Sequence, residues 1–186
     1  MRKYWLTLMI VIFLFISIGI NVNYILKQND KKSHFLAQVY GGLKNIKILL
    51  DPETKYENIE SIKDAKSEIQ RLCDAIFYYY SYVDDNLYWN KMYFNQLVFT
   101  LSSESGNLDG LHISGILEDG IISDTEKNYL KALYNDFNLL INKMKEKNST
   151  QVDLSTSIEQ INKYFNTFFS KWNTRSADTP FKMLTN

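Results

Sequence analysis

Apolar positions fall into two patterns along the chain. From Trp5 to Ile20 the sequence reads WLTLMIVIFLFISIGI without a charge, and Val22, Tyr24, Ile25 and Leu26 carry the run past Asn21 and Asn23. About 20 mostly apolar residues let a helix cross the hydrocarbon core of a bilayer, so this pattern predicts a single transmembrane helix over 5–26. From residue 33 onward the continuous run gives way to apolar residues spaced three and four apart, the mark of helices that hide one face from water.

The first such stripe is Leu36, Val39, Leu43, Ile46 and Leu50. Counted back in register it reaches Val22 and Ile25, so the spanning helix is expected to run on into the folded body. Gly41-Gly42 weakens that helix by about 1 kcal/mol per residue relative to Ala and marks a kink or a close helix crossing. Asp51-Pro52-Glu53 reads as a helix start, with an N-cap acid and Pro in the first turn. A second helix is therefore expected over 52–83, with Ile59, Ile62, Ile69, Cys73, Ile76, Tyr80 and Val83 on one face. A third carries Leu87, Phe94, Val98 and Leu101 and ends near Ser105.

Ser105–Gly120 holds four glycines and two Asp-Gly pairs, a turn-rich stretch in which Leu111-His112-Ile113 and Gly115-Ile116-Leu117 form a small hairpin or short helical turns. Ser123 and Glu126 have the spacing of a capping box and open a fourth helix with Leu130, Leu133, Phe137, Leu140 and Met144 on its stripe. It fades over 143–147. After a polar connector the fifth stripe is Leu154, Ile158, Ile161, Phe165, Phe168 and Trp172. Stripes of this kind are buried against one another. The fold class is all-α: a transmembrane helix, then a four- or five-helix bundle with one short irregular or hairpin insert near 106–122. The segments are a cytoplasmic tail over 1–4, the anchor over 5–26, the bundle over 33–173 and a flexible tail over 174–186.

Charge sets the expected orientation. Arg2 and Lys3 precede the apolar run, and positive flanks stay cytoplasmic. Lys27, Lys31 and Lys32 follow it, so the bias is uneven. With the folded mass after the span, the N-terminus is placed inside and the bundle outside the cytoplasm. The rival is a secreted chain cleaved near Gly19, where Ser17-Ile18-Gly19 resembles a processing site. The chain has 21 basic and 21 acidic residues, which lacks the basic footprint of a nucleic-acid binder. One cysteine, Cys73, precludes an intramolecular disulfide; on an apolar stripe it reads as a small core residue.

Candidate chemistry is thin. His34 and His112 have no His or Cys at metal-ligand spacing, so no metal or cofactor is expected. Around Gly110 and Gly120 the acidic loops half-match a calcium loop, but Ile116 stands where Glu is required in one, and Gly115 and Leu117 occupy ligand positions in the other. Both read as turns and caps. The distinctive composition is aromatic: Phe77, Tyr78, Tyr79, Tyr80 and Tyr82, then Tyr88, Trp89, Tyr93 and Phe94. One helix face cannot bury all of these. Either the second helix is central and packs on two sides, or Tyr78, Tyr82, Tyr88 and Trp89 form a partner-binding surface, since Tyr and Trp combine area with a polar tip. Tyr164, Phe165, Phe168, Phe169 and Trp172 read as core, with a membrane-interface face as the rival.

These features suggest a non-enzymatic, membrane-anchored extracytoplasmic module that binds an envelope protein or itself. The alternative is a helical bundle that binds a small ligand or glycan. An enzyme built on His112 and a membrane-perturbing protein rank below both.

Overall fold

The computed structural model describes residues 2–53, 58–82, 87–103, 105–108 and 111–170. Among these residues are five helices and one two-stranded hairpin: α1 (Arg2–Leu49), α2 (Ile59–Tyr82), α3 (Tyr88–Thr100), β1 (Ser105–Leu108), β2 (Leu111–Ser114), α4 (Asp124–Met144) and α5 (Ile158–Phe169). The expected tail lies outside the described residues. Two compact units divide the chain, Met1–His34 and Phe35–Asn186, and α1 contributes to both.

In the first unit α1 is apolar on all sides. From Leu8 to Leu26 every large hydrophobic side chain is at least 42% exposed. A helix with apolar residues around its whole circumference suits lipid rather than one wall of a protein core. The 22 residues from Trp5 to Leu26 rise about 33 Å at 1.5 Å each, against about 30 Å of hydrocarbon. This long apolar N-terminal helix is a candidate membrane span.

In the second unit the end of α1 behaves differently. Leu36, Val39, Leu43, Ile46 and Leu50 are all buried, the full expected stripe. Gly41 and Gly42 do not interrupt the helix, and a Cβ on Gly42 would only reach ordinary contact with Leu72 of α2, 4.0 Å away. Phe35 stacks on Tyr79 of α2 with centroids 4.2 Å apart. Elsewhere α2 packs on α3, α4 on α5, and α3 on α5. One continuous core cluster draws on all five helices and on Ile116 and Leu117.

Several boundaries differ from the sequence expectation. The second helix starts at Ile59 rather than 52. The Asp51 carboxylate accepts the Glu53 N–H at 3.0 Å, closing a local turn instead of a helix end, and Asn58 performs the same service for Glu60 at the true start. Asx side chains favour such turns. α3 stops at Thr100, short of Ser105. The hairpin pairs Ser105–Leu108 with Leu111–Ser114; Gly115–Leu117 is not a strand. Leu154 precedes α5 and is 43% exposed, whereas Phe169 is buried; Ser157 caps α5 by accepting the Gln160 N–H.

The Gly115–Leu117 segment finishes α3. A helix end leaves carbonyls without partners, and α3 has no glycine to close them. Ile116 N–H donates to Thr100 O and Leu117 N–H to Ser102 O, both at 2.9 Å. Gly115 lies so close to this helix end that a Cβ there would stand 2.2 Å from Ser102 O. The fourth helix starts as expected: Ser123 and Glu126 form the reciprocal capping box.

Beside the end of α3, Tyr129 of α4 is fully buried next to Thr100. Burial pushes its phenol upward from the ordinary 10.0, and the neighbouring Thr100 side chain partly opposes this. A raised folded-state value favours the protonated form. The stability this gives is complete below about pH 10 and falls as pH rises past it, because the unfolded chain ionises first. Denaturant titrations from pH 8 to 11 should show an alkaline fall that Tyr129→Phe reduces.

Candidate functional site

Two surface features of the second unit stand out. The first is on α2. Its inner face, Ile62, Ala65, Ile69, Leu72, Cys73, Ile76 and Tyr79, is buried. Its outer face is polar from Glu60 to Asp74, with Lys63, Asp64, Ser67, Gln70 and Arg71 all exposed. Then it changes character: Phe77 is 46% exposed and Tyr78 is 65% exposed. The expectation that α2 packs on both sides is therefore corrected at these positions. Phe77 and Tyr78 thus put an exposed aromatic pair on an otherwise polar face. It offers apolar area together with a phenol, a combination common at protein interfaces.

Of the four residues singled out in the sequence, Tyr78 is thus on the surface. Tyr82 ends α2, and Tyr88 and Trp89 begin α3; their side chains lie outside the described residues, as do those of Tyr80 and His112. Tyr79, between the exposed pair and the end of the helix, turns inward onto Phe35. The aromatic face of α5 belongs to the core: Phe165, Phe168 and Phe169 are buried among Tyr93, Phe94 and Phe137, which places them in protein rather than at a lipid interface. His34 is exposed on α1. Among the described residues no group of three His, Cys, Asp or Glu side chains is placed to hold a metal ion.

The second feature is a cleft of about 230 Å³ walled by the end of α1, by α4 and by the turn after α4. Tyr40 forms part of its floor; it is 6% exposed and donates its hydroxyl to Thr150 O at 2.9 Å, tying the turn to α1. Burial raises the Tyr40 phenol above its ordinary value. That turn is itself well bonded: Glu146 N–H donates to Gln151 O and Asp153 N–H to Met144 O, and Asn148 takes a positive φ of 61°. Lys44 and Lys47 of α1 lie over the rings of Tyr40 and Tyr134, at 5.6 and 5.4 Å from the centroids. Lys145 enters from the turn. No local sequence pattern marks this cleft, because Tyr40 and Thr150 are 110 residues apart and lysines at helix ends are common.

No protein-family model, curated protein or solved structure matches this chain.

Proposed function

We propose that this protein is a membrane-anchored interaction module: the N-terminal helix stays in the bilayer uncleaved, and a helical bundle outside the cytoplasm binds another envelope protein, or a second copy of the chain, through the aromatic end of α2. The observation that carries the reading is the change on the outer face of α2 from charged and amide side chains to Phe77 and Tyr78. The span supports the location, since α1 is apolar around its circumference over a membrane-crossing length. Arg2 and Lys3 support an inside N-terminus.

Site-specific photocrosslinking in intact native membranes tests this. A crosslinker at Tyr78 should give a discrete adduct, while the same group at Gln70 or Asp74, exposed on the same helix, should give none. An adduct of twice the chain mass identifies self-association. Equal labelling at all three positions, or none, overturns the proposed surface. Orientation is read in the same membranes from Asn135→Cys, an exposed position on α4, which should react with an impermeant maleimide from the external side.

A further inference from the structure

We propose that the cleft between α1, α4 and the turn after α4 binds a phosphate group carried by a small ligand. Three lysines, Lys44, Lys47 and Lys145, line it with one acidic residue, Asp51. None of the three lysines forms an ion pair among the described residues. Lys44 and Lys47 are instead held over tyrosine rings, an arrangement that positions a cation without neutralising it. The cleft therefore presents an excess of two positive charges, which a phosphate monoester at −1.5 to −2 near neutral pH balances.

Helix ends explain part of this pattern but not all of it. Lys47 lies in the last turn of α1, where a cation complements the helix dipole. Lys44 stands five residues before the end at Leu49, beyond the last turn within which that effect acts. The walls are also built before any ligand arrives, because the Tyr40–Thr150 hydrogen bond and the internal bonds of the turn fix the floor and rim. Lys binds phosphate as a point charge, and a phosphate monoester offers three acceptor oxygens to the three lysines where a carboxylate offers two. Asn138 adds an amide to the wall.

The full chain, reconstituted in phosphatidylcholine nanodiscs, is titrated calorimetrically with glycerol 3-phosphate and with inorganic phosphate at ionic strength matched by sodium chloride. Saturable binding at one site per chain is expected. The double variant Lys44→Gln, Lys47→Gln should weaken it by at least about tenfold, and Lys145→Gln should weaken it as well, with the melting temperature of each variant unchanged. Dibutyryl phosphatidic acid separates the sources of the phosphate. Tighter binding than glycerol 3-phosphate points to a lipid headgroup, and equal or weaker binding points to a soluble phosphate ester. Heat indistinguishable from the chloride control, variants that bind as well as the parent, or succinate binding as tightly as phosphate would each overturn the proposal.

Discussion

Phe94→Ala is expected to lower the stability of the folded body by about 3–5 kcal/mol, the usual loss when a buried Phe is cut to Ala. Phe94 has no exposed surface. It meets Phe165 edge-on at 5.4 Å and Phe169 edge-on at 4.7 Å, and lies nearly parallel to Phe168 at 6.5 Å. Favourable aromatic pairs add about 0.5–1.5 kcal/mol each beyond burial, so one truncation removes several contacts and leaves a cavity. Phe168 also packs on Phe137 of α4, so the damage reaches three helices. With total stability for such a domain at about 5–15 kcal/mol, much of the body should unfold on mild heating. The measurement is urea denaturation followed by near-ultraviolet circular dichroism, which reports aromatic packing. Phe94→Leu keeps most of the volume and should lose less. A loss under about 1 kcal/mol for Phe94→Ala would mean that this residue does not anchor the α3–α5 contact.

Gly115→Ala is the second large effect, and a single methyl group causes it. The added Cβ would stand 2.2 Å from Ser102 O, 2.8 Å from the Ser102 carbonyl carbon and 3.0 Å from Phe99 O. All three are backbone atoms at the end of α3, so no side chain can swing aside. Relief requires the 115–117 segment to move away. That movement breaks the Ile116–Thr100 and Leu117–Ser102 hydrogen bonds and pulls Ile116 and Leu117 from the core. Leaving a buried backbone group unsatisfied costs about 1–3 kcal/mol, so a loss of about 2–6 kcal/mol is expected from the two bonds together. Gly120→Ala is the matched comparison. Gly120 has a φ of 72° with nothing within 4 Å of its would-be Cβ, so only the left-handed backbone strain of about 1–2 kcal/mol applies. Equal losses at the two positions would refute the account of Gly115.

The stripes of α1 and α4, and Ile158, Ile161, Phe165 and Phe168 of α5, were readable from spacing alone, because burying one face of a helix imposes a period of 3.6 and every apolar residue named on 36–50 is buried. Local caps were readable for a similar reason: the Ser123–Glu126 box involves groups three residues apart. Asp51-Pro52-Glu53 misled because an Asx turn and a helix N-terminus begin with the same residue types, and only the path of the chain separates them. On α2 the aromatic run was visible, but its division was not. Phe77 and Tyr78 face outward while Tyr79 turns to Phe35, and that partner lies 44 residues earlier in the chain.

By itself the sequence determined the apolar N-terminal helix, since length and hydropathy are properties of a continuous segment, and the helical character of the body, since each stripe repeats within a few residues. The tertiary structure alone decided why residue 115 must be glycine, which aromatics meet at Phe94 and which lysines converge on one cleft. Those outcomes depend on groups far apart in the chain, such as Tyr40 and Thr150, 110 residues apart, and no local pattern encodes the approach of two distant backbones.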